Sequence, residues 1–402
     1  MKTMKSLLIA LAAMTAMAGC NSIDPDNGET AEGSIALTRA QQDMMADING
    51  FAYDVFGRLV KESPKEQVFI SPLSLSLDLA MTAAGASGKT AEQMTEVLGF
   101  KGYSTQDVNE FYSVLVKGLK NVDSSTDFLS ANSIWVSEEA PLRKDYVTTV
   151  ESSYGAQIEN VDFNDRSDLK RIDKWCSYNT KGKIDKISDC IDGNTVLALL
   201  NALYFKAKWK GDEFTESGTM PFHGDGGDVK AKMMRKTFKT LYCSNMTYEA
   251  VEIPYGNGSF VMDIVLPREG KSVSDAVDAL SKERLESLSS ARVFLRIPIF
   301  KSECTTDLGE TLKAMGMKDA FTQSADFSLM SKKPLCISYV KQKTFVDVNT
   351  KGTEAAAVTV IGMKVTSAAP DQIVEMIVDR PFVYLIRERS SGAVLFIGQK
   401  TR

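Results

Sequence analysis

Few side chains in this sequence stand where they could do covalent or acid–base chemistry. There is one histidine, His223, in a glycine-rich stretch beside Gly224 and Gly226. A Ser–His or Cys–His hydrolase would have to be built on it, and a metal site would lack clustered imidazoles. An exposed loop histidine accounts for it better. Past Cys20 the cysteines are Cys176, Cys190, Cys243, Cys304 and Cys336, with no Cys-x-x-Cys pair. That spacing argues against zinc, the odd number leaves at least one thiol free, and buried free thiols fit better than a disulfide framework. Gly85-Ala86-Ser87-Gly88-Lys89-Thr90 looks like a truncated phosphate loop. Ala83 stands where the full pattern needs glycine, and a helix rather than a strand precedes it. Gly85 and Gly88 therefore read as helix-ending and turn residues.

The stretch with chemical potential of another kind begins at Gly352. It runs Gly352-Thr353-Glu354-Ala355-Ala356-Ala357-Val358-Thr359-Val360-Ile361-Gly362-Met363-Lys364-Val365-Thr366-Ser367. About thirty residues separate Gly352 from the next clear strand after Pro381, and so long a segment without firm turn signals is usually functional. In an extended chain Thr353, Ala355, Ala357, Thr359, Ile361, Met363 and Val365 share one face, all uncharged and the first four small; Glu354 and Lys364 fall on the other. Such a segment can enter a sheet without burying a charge. Fourteen residues would span roughly 45 Å. An ordinary edge strand or an alanine-rich helix is the competing account, although Thr353, Val358, Thr359, Val360, Ile361 and Gly362 disfavour helix.

The elements that must position this segment are legible around it. Met45, Ile48, Ala52, Val55, Phe56 and Leu59 recur at helical spacing. Val68-Phe69-Ile70 reads as a strand, Ser71-Pro72 as a cap and first helical residue, and Leu73, Leu77, Ala80, Met81 and Ala84 as that helix's core face. Phe128–Val136 and Thr195–Phe205 read as strands and Asp168–Thr180 as a helix. Later come strands at Ala250–Pro254, Phe260–Leu266, Val293–Phe300, Thr344–Val348, Phe382–Ile386 and Val394–Gly398. Val346 and Val348 would share one face, Phe345 and Asp347 the other. With 44% hydrophobic and 25% charged residues, no internal repeat and no linker after residue 40, one large mixed α/β domain is expected. The net charge of −5 and the lack of a basic run argue against a nucleic-acid partner.

The first residues read as an export signal. Lys2 and Lys5 precede the apolar run Leu7–Ala18, too short for a permanent span. Met17-Ala18-Gly19-Cys20 resembles a bacterial lipoprotein box, which implies cleavage after residue 19, lipidation of Cys20 and a membrane anchor. Residues 20–38 are polar, with Pro25, Gly28 and Gly33, and read as a flexible tether. Asn21, not aspartate, follows Cys20, so an outer-membrane location, periplasmic or surface-exposed, is expected.

Seen together, several motifs resemble the serpins. Gly352-Thr353-Glu354-Ala355-Ala356-Ala357-Val358-Thr359 resembles the hinge of inhibitory members. Asn201-Ala202-Leu203-Tyr204-Phe205-Lys206-Ala207-Lys208-Trp209 resembles the family's central strand, and Phe69-Ile70-Ser71-Pro72-Leu73-Ser74 the start of its second helix. Ile297-Pro298-Ile299-Phe300-Lys301, Met315-Gly316-Met317, Ala320-Phe321, Ala325-Asp326-Phe327-Ser328, Asp379-Arg380-Pro381-Phe382 and Phe396-Ile397-Gly398 also match, in family order. The resemblance implies an α+β serpin fold over residues 39–402: one domain, three β-sheets, about nine helices and an exposed reactive-centre loop. It further implies a monomer without cofactor or enzymatic activity, acting as a suicide substrate. A protease cleaves the loop, which inserts into the main sheet and traps the protease covalently.

Family register places the scissile bond at Thr366–Ser367. Lys364–Val365 would suit trypsin-like targets, and Val365–Thr366 or Thr366–Ser367 elastase-like ones; papain-like cysteine proteases are a further class. The resemblance names Ser71, Ser74, Asn201 and Gln342 as the sheet-opening cluster, with Trp209 where the loop first enters. Two departures stand out: Thr350 replaces a frequent Glu two residues before Gly352, and Gln342 replaces a frequent buried His. The alternative is a non-inhibitory serpin-like surface protein that binds a ligand or host molecule.

Overall fold

The computed structural model describes residues 33–402, apart from 192, 284, 286, 287 and 354–371. In chain order the elements are α1 (Arg39–Glu62), β1 (Phe69–Ile70), α2 (Pro72–Ala84), α3 (Gly88–Val97), α4 (Thr105–Asn121), β2 (Asp127–Ser137), α5 (Lys144–Tyr154), β3 (Gln157–Val161) and α6 (Arg166–Asn179). There follow β4 (Leu197–Lys208), β5 (Thr215–Gly224), β6 (Gly227–Ser244), β7 (Tyr248–Pro254), β8 (Phe260–Pro267), α7 (Val273–Glu283), β9 (Ser289–Pro298), β10 (Phe300–Asp307) and α8 (Gly309–Met315). The chain closes with β11 (Tyr339–Asn349), β12 (Gly352–Thr353), β13 (Ile373–Ile377), β14 (Phe382–Glu388) and β15 (Val394–Lys400).

Local chemistry explains the helices nearest the site. Thr38 and Gln41 form a reciprocal capping box at the start of α1, and Met45, Ile48, Ala52, Val55, Phe56 and Leu59 all lie in the core. Ser71 caps α2 and Pro72 opens it. The sequence predicts one apolar face for α2, but Pro72–Thr82 are buried on every side, Ser74, Ser76 and Asp78 included. The reason is position: α2 packs at once against α1, α5, β2, β4 and β15.

The strands form two hydrogen-bonded sheets among the described residues. One has six strands in the order β10-β11-β12-β4-β2-β3; the other has nine, β1-β15-β14-β8-β7-β6-β9-β13 with β5 beside β6. Three sheets are expected from the resemblance. The count falls to two because β6 pairs with β9 over Met233–Tyr242 and with β7 over Tyr242–Ser244, joining what would be separate sheets. Eight α-helices are present among the described residues.

Two strands differ from expectation. Val293–Phe300 is not continuous: β9 ends at Pro298, and after Ile299 the chain enters the other sheet as β10. Pro298 lacks the N–H that would carry the ladder on. The long segment before Pro381 is also interrupted by β13, which pairs in parallel with β9 at the sheet edge.

Candidate functional site

The site is a slot in the six-stranded sheet between β4 and β11. These strands pair in parallel only from Tyr339↔Ala198 to Lys343↔Ala202. Beyond that they part. At the far end β12 lies between them, antiparallel to both, with Gly352 opposite Lys208 and Asn349, and Thr353 opposite Ala207 and Val348. Among the described residues no strand fills the slot from Leu203 to Lys206 on one side and from Thr344 to Asp347 on the other.

Alternation along β11 sets the faces of the slot. Val340, Gln342, Thr344, Val346 and Val348 are buried, and the intervening residues are half-buried. Thr353, opposite Val348, is wholly buried too. Gly352 has no substitute here. Its φ is +147°, and a Cβ would sit 2.0 Å from the Ala207 carbonyl oxygen.

An aromatic clamp holds the mouth of the slot. Trp209 stacks on Tyr255 with centroids 4.5 Å apart. The Tyr255 hydroxyl lies 2.7 Å from Thr353 Oγ1. Burial holds that phenol well above its ordinary pKa, so it keeps its proton. Trp209 Nε1 donates to the Asn349 carbonyl at 2.9 Å and its backbone N–H to Lys351 O at 2.9 Å. Phe214 N donates to Thr350 O at 2.8 Å. The turn between β11 and β12 is thus fixed from outside, and Thr353 from below.

A polar group sits where β4 and β11 meet. Gln342 Oε1 accepts from Ser71 N at 2.6 Å, while its Nε2 donates to Ser71 O at 2.9 Å. Ser71 Oγ donates to Leu395 O at 2.5 Å. Ser74 Oγ donates to Asn132 Oδ1 at 2.7 Å, and Thr344 Oγ1 to Phe69 O at 2.7 Å. In register, Asn201 lies between Asn132 and Gln342. The amino end of α2 is therefore tied to β11 through Ser71 and to β2, the neighbour of β4, through Ser74, at the point where the slot begins.

Gln342 bonds Ser71, but Ser74 turns to Asn132 rather than to Gln342. Asn201 joins them by strand register, and Trp209 stands about 26 Å further on, just past the end of β4 and against the turn that precedes β12. Asn132, Thr344 and Tyr255 were missed by sequence reasoning. A signal existed for the first: Asn132 shares the parity of Phe128, Ile134 and Val136, all buried. Tyr255 follows a strand-ending proline and carries no such cue. Glu354, Ala355, Ala356, Ala357, Val358, Thr359, Lys364, Val365, Thr366, Ser367 and Cys20 lie outside the described residues.

The competing chemistries find no support in the fold. His223 belongs to strand β5 rather than to a loop; it is exposed and pairs with Asp228 across the hairpin at 2.9 Å. Gly85 ends α2, with Met330 and Tyr146 too close for a side chain, and Gly88 takes φ +51° at the start of α3. Cys176, Cys304 and Cys336 carry free thiols, that of Cys176 buried, and Cys243 is buried as well. Among the described residues no group of three His, Cys, Asp or Glu side chains is disposed to hold a metal.

The decisive observation is the match of residues 46–402 to the family model described as serpin, serine protease inhibitor. The chain belongs to the serpin family. Leukocyte elastase inhibitor of Bos taurus is 33% identical over 369 residues, which cover 87% of this chain and 96% of that protein. Tengpin, a thermophilic serpin solved in its native state, superposes with a TM-score of 0.83 at 31% identity, over 93% of this serpin and 97% of that chain. Human thyroxine-binding globulin complexed with thyroxine superposes with a TM-score of 0.81 at 26% identity, over 90% and 99% of the two chains.

Proposed function

We propose that this serpin is a suicide inhibitor of serine proteases. The observation that supports it is β12: the first hinge residues already form a strand between β4 and β11. Extending that register would set Ala355 opposite Val346, Ala357 opposite Thr344 and Thr359 opposite Gln342. Each then falls on the buried face, and Glu354 on the other. The inward residues are small or uncharged, so the slot can close over them without burying a charge.

The reaction needs no group from the inhibitor except its loop. A protease serine Oγ attacks the carbonyl at the cleaved bond, and an ester forms. The peptide bond breaks and the new amino terminus leaves with a proton. Insertion then carries the ester-linked protease away before water completes hydrolysis. Thr366–Ser367 is the proposed bond, with Lys364–Val365 and Val365–Thr366 as alternatives, for elastase-like, trypsin-like or papain-like targets. We further propose export, lipidation at Cys20 and a monomer held on the outer membrane by residues 20–32; the tether expected over 20–38 stops short, because Ile35 is buried and the Gly33 and Ile35 N–H groups donate to Ser259 and Ser390.

Incubation with elastase-like and trypsin-like proteases, followed by a denaturing gel and intact-mass measurement, tests this. A covalent complex and a large rise in Tm after loop cleavage are expected. Cleavage with no complex and no rise in Tm would instead support a non-inhibitory binding protein.

A further inference from the structure

The exposed face of β6, β9 and β13 carries an arrangement that folding alone disfavours. Register places Arg235 opposite Arg296, Thr237 opposite Phe294, and Lys239 opposite Arg292. On the other side of β9, Ile373, Glu375 and Ile377 face Arg292, Phe294 and Arg296. Two pairs of like charges therefore stand directly across from each other, about 13 Å apart along the strands. Such pairs destabilise a sheet. Among the described residues Arg235, Lys239 and Arg292 have no ion-pair partner; Arg296 reaches Met220 Sδ at 3.2 Å and lies over the Phe294 ring. Glu375 is the acid on this grid, in a chain whose net charge is −5. A depression of about 650 Å³ opens between Lys239 and Arg292, with Ser290 and Gln372 on its rim.

We infer that this face is an accessory docking surface for an acidic patch on the target protease, a proposal that rests on the inhibitory reading. Position supports a protease partner. β13 begins at Ile373 beside Arg292, six residues after Ser367, so the proposed bond is within about 20 Å of Ile373, with Arg292 and Lys239 alongside it and Arg296 and Arg235 about 13 Å further along the strands. Composition supports a protein over a polyanionic glycan. Phe294 is half-buried and Ile373 exposed on the same grid, which gives apolar contact area among the charges. The surface acts by raising encounter rate and orienting the protease, and it touches none of the reacting atoms.

The test measures the second-order rate of loss of intact chain with an anionic and a cationic trypsin, which share specificity for the Lys364 bond. Anionic trypsin is expected to react about 10-fold faster at low salt. The advantage should vanish near 1 M salt, where screening acts within about 3 Å. The double variant Arg235→Glu, Lys239→Glu turns both like-charge pairs into opposite-charge pairs. Its Tm should hold or rise while the rate with anionic trypsin falls to that of the cationic enzyme. Equal rates for the two trypsins, no consumption by the anionic enzyme, or an unchanged rate in the double variant would each overturn the proposal. So would a rate that responds to added heparin but not to the charge of the protease. Complex yield on the gel is scored separately: cleavage without complex sinks the inhibitory reading, and the rate comparison still judges the surface.

Discussion

Replacing Thr353 by arginine probes the first step of insertion. Thr353 is wholly buried, opposite Val348 and Ala207, with its hydroxyl 2.7 Å from Tyr255. The substitution leaves the buried phenol without that partner, at a cost of about 1–3 kcal/mol. It also places a guanidinium on the inward face, at several kcal/mol more unless it is paired. Strand β12 has only two residues, and its few ladder bonds are worth about 0.5–1.5 kcal/mol each. Peeling β12 out of the sheet is therefore cheaper than unfolding, and the body of the protein should keep its Tm. The kinetic consequence is larger. If passage of this residue costs about 3 kcal/mol more, insertion slows by about 100-fold. Hydrolysis of the ester is unaffected and overtakes it. The variant should be cleaved without trapping, whereas Thr353→Ser, which keeps the hydroxyl, should still trap. Stoichiometry of inhibition and a denaturing gel with an elastase-like protease decide the matter. A yield of covalent complex equal to that of the native sequence would refute the reasoning.

The other predictions concern neighbouring parts of the slot and the thiols. Gly352→Ala brings a Cβ against the Ala207 carbonyl at a left-handed φ, for about 1–3 kcal/mol of strain. β12 should detach, and Trp209 fluorescence should shift as its contact with Asn349 loosens; an unchanged spectrum would count against this. Gln342→Ala removes the acceptor of the Ser71 N–H and one of two donors to its carbonyl, which keeps the Leu75 N–H; the orphaned N–H costs about 1–3 kcal/mol. Inhibitory activity on storage should then decay faster than in the native sequence, and an equal half-life would contradict the role assigned to Gln342. Burial pushes the Cys176 thiol up to about 12 and that of Cys304 up to about 11. At pH 8 these thiols are protonated, so alkylation of the native protein should run at least roughly 100-fold slower than for a free thiol. Its onset should move to higher pH, and rapid labelling of either residue near neutrality would show otherwise.

Much of this site can be read in the sequence because its grammar is local. Parity alone separates Val346 and Val348 from Phe345 and Asp347, and Ser71-Pro72 announces a helix start through its own cap. The polar tie at Gln342 is different. Its partner Ser71 lies far away in sequence, and only sheet register brings Asn132, Asn201 and Gln342 into line. Resemblance suggested Ser71 and Ser74 as partners, but it could not say that Ser74 would turn to Asn132, since that depends on where α2 lies beneath the sheet. Helix α2 misleads for a related reason: burial on all sides erases the one-faced pattern that periodicity looks for. The joining of sheets through β6 is equally non-local, because one long strand serves two neighbours at different points along its length. β13 was overlooked although Ile373-Val374-Glu375-Met376-Ile377 is strand-like; a short edge strand in a long segment already rich in Ala, Val and Ile offers little contrast.

The stretch of the slot that no strand fills among the described residues has a consequence for handling. Between the last direct pair, Lys343 and Ala202, and β12, which stands between the two strands, β4 and β11 share no ladder among the described residues, so their facing backbone donors and acceptors can take an added strand. Any extended segment with small, uncharged residues on one side fits that gap, and the hinge of a second molecule is such a segment. Filling from within is first order in protein, so its rate only doubles when concentration doubles and its half-life does not change. Filling from a neighbour is second order, so each doubling of concentration quadruples its rate. The opening that the proposed trap requires thus sets an upper limit on how crowded these molecules can be while remaining separate, and dilution, rather than added stabiliser, is the direct remedy.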